Sequence, residues 1–211
     1  MPSISRSVRE FVLPLEPRGS LDASLSFQME EDAAAQGTRL HGKVQKRLAR
    51  EHPELQSERT VLWRFEEGEF ECLLRGRIDV FIPGMAPIVE EIKTTFRPQA
   101  LLQALEADPE HPFAQQARMY AWILAQTGDE VPACRLRVIS LLDETETLLE
   151  VPFELEAFSA WVEAQVHGLH ARHLADLARA AERKVIGAAL RFPFEALRPG
   201  QERLLEAVEA S

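Results

Sequence analysis

The sequence predicts an α/β fold, with a central mixed sheet that contains an antiparallel meander and is flanked by helices. A long amphipathic helix is predicted over residues 26–50, since Leu40, Val44 and Leu48 repeat at helical spacing. Three β-type runs follow it in close succession. A further helix and two further β-type runs come after them. Mixed helices and strands in this order are typical of an α/β domain.

The first predicted elements are two helices that precede the sheet. Residues 3–13 are predicted as a short helix, followed by a loop that contains two prolines. The helix of residues 26–50 is expected to end before Pro53, since proline cannot continue a helix. His41 and Gln45 lie beside the apolar stripe of this helix, so both side chains are available for contacts at its edge.

Residues 60–65, 70–82 and 88–94 are predicted as the three strands of the meander, because apolar and polar residues alternate in them. Turn-forming glycines and prolines separate the runs. Glu90 is an irregular position, since strand alternation places it on the side of the apolar residues. A bend or bulge near Glu90 is therefore expected.

The second half of the chain supplies the remaining helices and strands. Residues 97–111 are predicted as a helix with a broken end or an ordered loop, and residues 111–126 as a helix that Thr127-Gly128-Asp129 stops. Residues 134–142 and 147–153 are predicted as strands, and residues 154–183 as a long closing helix.

The composition excludes several classes of protein. With 211 residues, 45% of them hydrophobic, the chain can bury a substantial core. Cys72 and Cys134 lie far apart without a CxxC motif, so buried thiols are expected rather than a disulfide framework, a zinc site or an iron–sulfur site. No stretch approaches 18 consecutive apolar residues. A cytoplasmic protein with no membrane partner is expected.

The charge of the chain opposes bulk attraction to nucleic acid. There are 24 Lys+Arg against 34 Asp+Glu, which gives a net charge of -10. Any contact with nucleic acid must therefore use local basic patches or metal ions. Five basic residues do cluster along one segment: Arg39, Lys43, Lys46, Arg47 and Arg50. This cluster is open to two interpretations, a local DNA contact or a solvated helix face.

Two acidic residues and a lysine lie on two consecutive predicted strands, within residues 76–95. Asp79 and Glu91 offer hard carboxylate oxygens, which suit Mg²⁺ or Mn²⁺. Lys93 lies two residues from Glu91 on the same face and is suited to orient or deprotonate an attacking water. The alternatives without a catalytic role are a surface ion pair between Glu91 and Lys93 and a strand-ending role for Asp79.

This arrangement resembles the PD-(D/E)XK nuclease superfamily, with Asp79 on the second strand of the meander and Glu91-x-Lys93 on the third. It is similar to the RecB-like and CRISPR-exonuclease-like branch in two further motifs. These are a histidine on the preceding helix, His41 in GTRLH, and Gln-x-x-x-Tyr on the following helix, QARMY. The resemblance implies a restriction-endonuclease-like core.

The resemblance also implies a role for each residue of the site. It implies catalytic roles for Lys93, Asp79, Glu91, Gln116 and Tyr120, and metal ligands from His41, Asp79, Glu91 and the backbone carbonyl of Ile92. Gln116 and Tyr120 would hold the water or the DNA strand. The implied cofactor is Mg²⁺ or Mn²⁺, and the imidazole of His41 favours Mn²⁺. Taken alone, a histidine such as His41 is more often a hydrogen-bonded boundary residue than a metal ligand, and Tyr120 can be a core residue with a satisfied hydroxyl.

The resemblance extends to the nuclease domain at the N-terminus of bacterial helicases of the XPD and DinG type. Phe192-Pro193-Phe194 and Arg198-x-Gly200-Gln201 resemble the segment that opens the helicase motor in that group. No Walker A loop follows in this chain. Residues 1–190 are therefore expected to be the nuclease domain, and residues 191–211 a linker and the start of a truncated motor.

The expected function is a metal-dependent DNA nuclease that hydrolyses phosphodiester bonds. Its expected substrate is single-stranded DNA or DNA ends, delivered by a helicase motor that is C-terminal in the full-length protein. Two alternatives remain open. One is a catalytically weak or inactive nuclease-fold module that binds DNA or docks a helicase. The other is an acidic interaction domain whose Asp, Glu and Lys residues are structural.

Overall fold

The computed structural model describes residues 3–13, 27–68, 70–128, 130–189 and 203. These residues form a mixed sheet of six strands with flanking helices. The helices are Val8–Phe11 (α1), Phe27–Glu51 (α2), Pro98–Ala107 (α3), Pro112–Gln126 (α4) and Leu155–Ala189 (α5). The strands are Ser3–Ser7 (β1), Gln56–Glu67 (β2), Phe70–Ile82 (β3), Ile88–Thr95 (β4), Ala133–Ser140 (β5) and Glu146–Val151 (β6). The predicted α/β fold class is confirmed.

The sheet is built around the long strand β3. Its strand order is β1-β3-β4-β5-β6, and β2 also pairs with β3. The β2–β3 and β3–β4 pairs are antiparallel, which confirms the predicted meander, and the β5–β6 pair is antiparallel as well. The β1–β3 and β4–β5 pairs are parallel, so the sheet is mixed. β1 pairs with Glu71–Arg75 of β3 and β4 with Val80–Ile82, so β3 pairs with different strands along its length.

Among the residues that the structure describes, two hydrophobic clusters pack on the sheet and position the helices. In the cluster beneath α2, Leu40, Val44 and Leu48 pack with Val80 and Ile92, as the apolar stripe predicts. The other, larger cluster includes α1, α4 and the first part of α5. Each fully buried aliphatic or aromatic side chain contributes about 1.5–3 kcal/mol relative to an exposed one. The clusters therefore hold α2 and α4, the helices that carry predicted site residues, firmly against the sheet.

The helix predicted over residues 3–13 is wrong in its first half. Ser3–Ser7 forms β1, and helix α1 begins only at Val8. The Ser7 hydroxyl accepts from the backbone N–H of Glu10, and the Glu10 carboxylate accepts from the backbone N–H of Ser7. This reciprocal capping box starts the helix after the strand. The local sequence pattern does not predict this strand, because its partner residues in β3 lie far away in the sequence.

The bulge expected near Glu90 is also wrong. β4 pairs with β5 residue for residue, from Ile88 opposite Ala133 to Thr95 opposite Ser140. Glu90 is instead buried, at 2% exposure, and its Oε1 lies 2.5 Å from Nε of Arg137. The ion pair with Arg137 on β5 therefore offsets the cost of burying the Glu90 carboxylate.

Both cysteines are free and buried, as predicted. Burial raises the pKa of Cys134 to about 12, so this thiol stays protonated at neutral pH. Within the described ranges, no helix is long and apolar enough to cross a membrane.

The chain divides into two compact units, Met1–Leu169 and His170–Ser211. The predicted site residues all belong to the first unit. The second unit contains the C-terminal part of α5. The loop predicted after residue 13 and the linker and motor segment predicted over residues 191–211 lie outside the described residues, apart from Arg203.

Candidate active site

A gap opens between β3 and β4 at Asp79. The two strands pair only through Val80–Glu90, Phe81–Val89 and Ile82–Ile88. Asp79 is the first residue of β3 beyond this ladder, and its Oδ2 accepts a 2.8 Å hydrogen bond from the backbone N–H of Ile92. A side-chain carboxylate thus takes the place of a backbone acceptor. The Ile92 amide therefore keeps a hydrogen-bond partner although the two strands no longer pair there.

β3 also changes its side-chain alternation at Asp79. Ile78 packs in the larger core cluster, whereas Val80, two residues later, packs in the cluster beneath α2. Opposite Asp79 on β2 lies Glu58, whose φ of 56° is left-handed. The Glu58–Asp79 pair is missing from the β2–β3 ladder, although the same register holds on both sides of it. An irregular backbone at this point turns Asp79 out of the regular face pattern.

Glu91 and Lys93 project from β4 and contact each other. Lys93 Nζ lies 2.8 Å from Glu91 Oε1. Glu91 is buried, at 3% exposure, and its other carboxylate oxygen, Oε2, has no hydrogen-bond partner. Burial raises the pKa of Glu91 to about 8, although the Lys93 ammonium opposes the shift. An unpartnered oxygen on a buried carboxyl is costly unless a further positive group reaches it.

Gln116 projects from α4 and contacts Lys93, and Tyr120, one turn later on the helix, contacts Gln116. Gln116 Oε1 accepts from Lys93 Nζ at 2.9 Å, and Gln116 Nε2 donates to the Tyr120 hydroxyl at 3.3 Å. That hydroxyl also accepts from the backbone N–H of Arg77 at 3.4 Å. Lys93 Nζ lies 4.6 Å from the ring centre of Phe113, within range of a cation–π contact. The lysine is therefore held by three neighbours.

The two α4 side chains are buried, Gln116 at 6% exposure and Tyr120 at 3%. Burial raises the pKa of Tyr120 to about 12, so its hydroxyl is neutral at physiological pH. Gln116 contacts Lys93 directly, and Tyr120 contacts Gln116. Their geometry suits orientation of the lysine.

His41 reaches the gap from α2. Its Nδ1 lies 3.9 Å from Asp79 Oδ2, and burial lowers the pKa of His41, which favours the neutral imidazole that binds metals. Burial raises the pKa of Asp79, and the hydrogen bond from Ile92 opposes that shift. The N–H and C=O of one strand residue point to the same edge, so the Ile92 carbonyl also faces the gap.

The structure brings the predicted residues together in two linked groups. His41, Asp79 and Ile92 form one, and Glu91, Lys93, Gln116 and Tyr120 form the other. The two groups are linked through the backbone, because Glu91 of one group and Ile92 of the other are neighbours in sequence. In the described part of the chain, no three His, Cys, Asp or Glu side chains converge as a ready-made metal site. The donors nevertheless fit a hard divalent cation, because Glu91 Oε2 is buried and unpartnered beside the gap.

Sequence reasoning missed Glu58 and Gly76. The sequence around Glu58 does not indicate a functional role, because the strand is predicted to begin only at residue 60. In the structure β2 begins at Gln56, and Glu58 has a left-handed backbone within it. Gly76 had a signal, a glycine within an alternating strand. A Cβ at Gly76 would lie 2.5 Å from Cε1 of Tyr120 and 2.8 Å from Cγ2 of Val8. The glycine therefore lets Tyr120 approach the backbone of β3.

The basic cluster of α2 is largely paired with acidic side chains near the β5–β6 turn. Arg39 and Lys43 both contact Glu144. Arg47 donates to both carboxylate oxygens of Glu146, at 2.7 Å each. These ion pairs partly neutralise the cluster and favour its interpretation as a solvated helix face.

The fold is shared with two solved structures, one of which is an alkaline exonuclease. The crystal structure of SSO0001 matches with a TM-score of 0.52 at 20% identity, over 77% of this chain and 75% of that one. An alkaline exonuclease (LHK-Exo) from Laribacter hongkongensis matches with a TM-score of 0.52 at 17% identity, over 87% of this chain and 94% of that one. No protein-family model and no curated protein sequence matches the chain. The fold is of the PD-(D/E)XK type, and at these identities the likeness is one of fold.

Proposed function

We propose that this chain is a DNA nuclease that hydrolyses phosphodiester bonds with the help of Mg²⁺ or Mn²⁺. The observation that carries the proposal is the buried, unpartnered Oε2 of Glu91, next to the Asp79 gap in a fold of the PD-(D/E)XK type. A surface ion pair or a strand-ending aspartate would not leave a carboxylate oxygen buried without a partner.

The metal-holding residues of the proposed site are Asp79, Glu91, the carbonyl of Ile92 and the imidazole of His41. When bound, Mg²⁺ or Mn²⁺ supplies Lewis acidity to the scissile phosphate and makes the attacking water more acidic. The raised pKa of Glu91 fits this role, since a proton occupies the carboxyl until a cation replaces it. The neutral imidazole of His41 likewise offers a lone pair.

Lys93 is the proposed catalytic cation. Its ammonium, held 2.8 Å from Glu91 and 2.9 Å from Gln116, is suited to orient the attacking water and to stabilise the charge that develops on the phosphate. Gln116 acts by fixing Lys93, and Tyr120 by fixing Gln116. A lysine held in place stabilises the transition state more than a mobile lysine does, because its charge needs no reorganisation during the reaction.

The proposed substrate is single-stranded DNA or a DNA end. Action at an end corresponds to the name of one structural neighbour, an alkaline exonuclease. The net charge of -10 gives little intrinsic attraction to DNA. Attachment to a C-terminal helicase motor, suggested by the residues at 192–201, would compensate by raising the local DNA concentration. A Walker A loop in the coding sequence downstream of residue 211 would support this part of the proposal, and a stop codon there would refute it.

A cleavage assay with Mn²⁺, Mg²⁺ or a chelator tests the proposal on end-labelled single-stranded, flapped and blunt duplex DNA. We expect cleavage with the metals and none with the chelator. Lys93→Ala should slow cleavage by about 10²–10⁴-fold while Mn²⁺ binding persists. Lys184→Ala, at an exposed lysine on α5 outside the predicted site and the basic cluster, is the control and should cleave normally.

Two other outcomes of the assay have distinct meanings. Intact DNA together with Mn²⁺ and DNA binding would replace the nuclease with an inactive docking module. A folded protein that binds neither metal nor DNA would favour the acidic interaction domain.

A further inference from the structure

The Gln45 side chain joins helix α2 to both irregular strand positions. Its Nε2 donates to the backbone carbonyl of Asp79 at 2.9 Å and to Oε1 of Glu58 at 2.8 Å. A primary amide has two N–H donors, so both are used. Gln45 lies four residues after His41 on the same helix, and residues at this spacing lie on one face. The anchor of α2 on Asp79 is therefore one turn away from the imidazole.

Glu58 completes this contact through an uncommon backbone conformation. Its φ of 56° lies in the left-handed region, which is disfavoured for residues other than glycine, asparagine and aspartate. Its carboxylate accepts from Gln45 and forms an ion pair with Arg77, two residues before Asp79. The strained backbone and the two contacts occur directly opposite Asp79. Strain of this kind persists only where the surroundings enforce it, and it concentrates at functional sites.

We propose that Gln45 and Glu58 form a clamp that positions the Asp79 carboxylate between His41 and Ile92. The clamp holds the Asp79 backbone against α2, and so sets both the 3.9 Å separation of Asp79 from His41 and the hydrogen bond from Ile92. Gln45 and Glu58 are positioning residues, since they act through Asp79. The effect of the clamp on metal binding rests on the proposed function, but its effect on Asp79 does not.

Amide hydrogen exchange at Ile92 in metal-free protein tests the clamp directly. The Ile92 amide is bonded to the Asp79 side chain, so its protection reports where that carboxylate lies. We expect Gln45→Ala and Glu58→Gly to raise the Ile92 exchange rate by about tenfold, the loss of roughly one net hydrogen bond. Glycine accepts a positive φ without strain, so Glu58→Gly removes the side chain while preserving the backbone.

Two controls separate the clamp from general destabilisation. The amide of Ile123, buried in α4, should exchange as in the wild type in every variant. Lys46→Ala, next to Gln45 in sequence but exposed, should leave Ile92 protection unchanged. Unchanged Ile92 protection in both Gln45→Ala and Glu58→Gly would overturn the proposal. So would an equal rise at Ile123, which would indicate global loosening.

Mn²⁺ affinity gives the second readout. Loss of residues that orient a metal ligand typically weakens metal binding by about 10–100-fold, and we expect this range for Gln45→Ala and Glu58→Gly. Glu58→Gln keeps an oxygen acceptor for Gln45 and should restore affinity to within a few-fold of the wild type. Wild-type affinity in Glu58→Gly would contradict the clamp. If the wild-type protein itself binds no Mn²⁺, the proposed function fails, and the Ile92 exchange rates still decide the clamp.

Discussion

The backbone N–H of Ile92 donates a 2.8 Å hydrogen bond to Oδ2 of Asp79, across the point where β3 and β4 stop pairing. This bond ties the aspartate to the residue that follows Glu91 in sequence. One interaction therefore links two of the proposed metal donors, Asp79 and the Ile92 backbone, and Glu91 is the neighbour of Ile92 in sequence. Lys93 lies two residues from Glu91 and contacts it. The predicted site residues therefore lie where β3 and β4 stop pairing, and contacts between them position their side chains.

Metal-free Glu91→Gln should lose stability less steeply than the wild type as the pH rises. The folded-state pKa of Glu91 is raised from 4.5 to about 8, so the folded protein keeps a proton that the unfolded chain releases. The contribution of this group to stability is complete below pH 4.5 and is lost as the pH approaches about 8. Melting temperatures of both proteins, measured with a chelator between these pH values and above, give the comparison. Parallel profiles would show that Glu91 is ionised throughout.

Tyr120→Phe should weaken catalysis through Lys93. The substitution removes the acceptor of both Gln116 Nε2 and the Arg77 amide. We expect a destabilisation of about 1–3 kcal/mol, since buried donors are left unpaired, and a lower kcat with little change in KM. Urea unfolding and steady-state cleavage measure the two effects separately. A variant with wild-type kcat per folded molecule would confine Tyr120 to packing.

Gly76→Ala should be destabilising by about 1–3 kcal/mol, because the added methyl group overlaps the Tyr120 ring and Val8. Gly42→Ala is the matched control, since nothing lies within 4 Å of a Cβ at that position of α2. Alanine at Gly42 should stabilise the helix by roughly 0.5–1 kcal/mol. Thermal or urea unfolding compares the two variants. Equal effects of the two substitutions would mean that Tyr120 does not approach β3 as closely as described.

Single substitutions of Glu90 or Arg137 should be severely destabilising, and their combination should be milder. Removal of one partner of a buried ion pair costs about 3–5 kcal/mol, because the other charge is left uncompensated. Arg137 also contacts Glu146, at 2.7 Å, so its loss affects β6 as well. Urea unfolding of Glu90→Leu, Arg137→Leu and the double variant forms a double-mutant cycle. Additive losses would contradict the pairing.

Periodicity predicted most of the fold correctly where each element carries its own pattern. The stripe of Leu40, Val44 and Leu48 predicted α2 to within a residue or two, and the alternating runs predicted the meander. β1 was missed, since a five-residue strand depends on a partner far along the chain. The Glu90 bulge was wrongly expected because alternation cannot reveal the compensating Arg137 on β5.

The candidate site was predicted as a set of residues but not as a geometry. Residue types and order suggested His41, Asp79, Glu91, Lys93, Gln116 and Tyr120, and the structure puts them in contact in two linked groups. Their roles stay predictions. The backbone irregularity lies at Asp79 and Glu58 rather than at Glu90, and no local pattern indicates a left-handed glutamate. Positions of this kind are set by tertiary contacts, here those from Gln45 and Arg77.

Calorimetric titration of the purified protein with Mn²⁺ tests the central claim, that Asp79 and Glu91 hold a divalent cation. The wild type should bind Mn²⁺, and Asp79→Asn and Glu91→Gln should each weaken binding by about 100-fold or more, since a ligand and its charge are lost. Glu130→Gln, an exposed glutamate outside the site, should bind as the wild type does. A folded wild-type protein that binds no Mn²⁺, or a Glu91→Gln variant that binds it with wild-type affinity, would contradict the account.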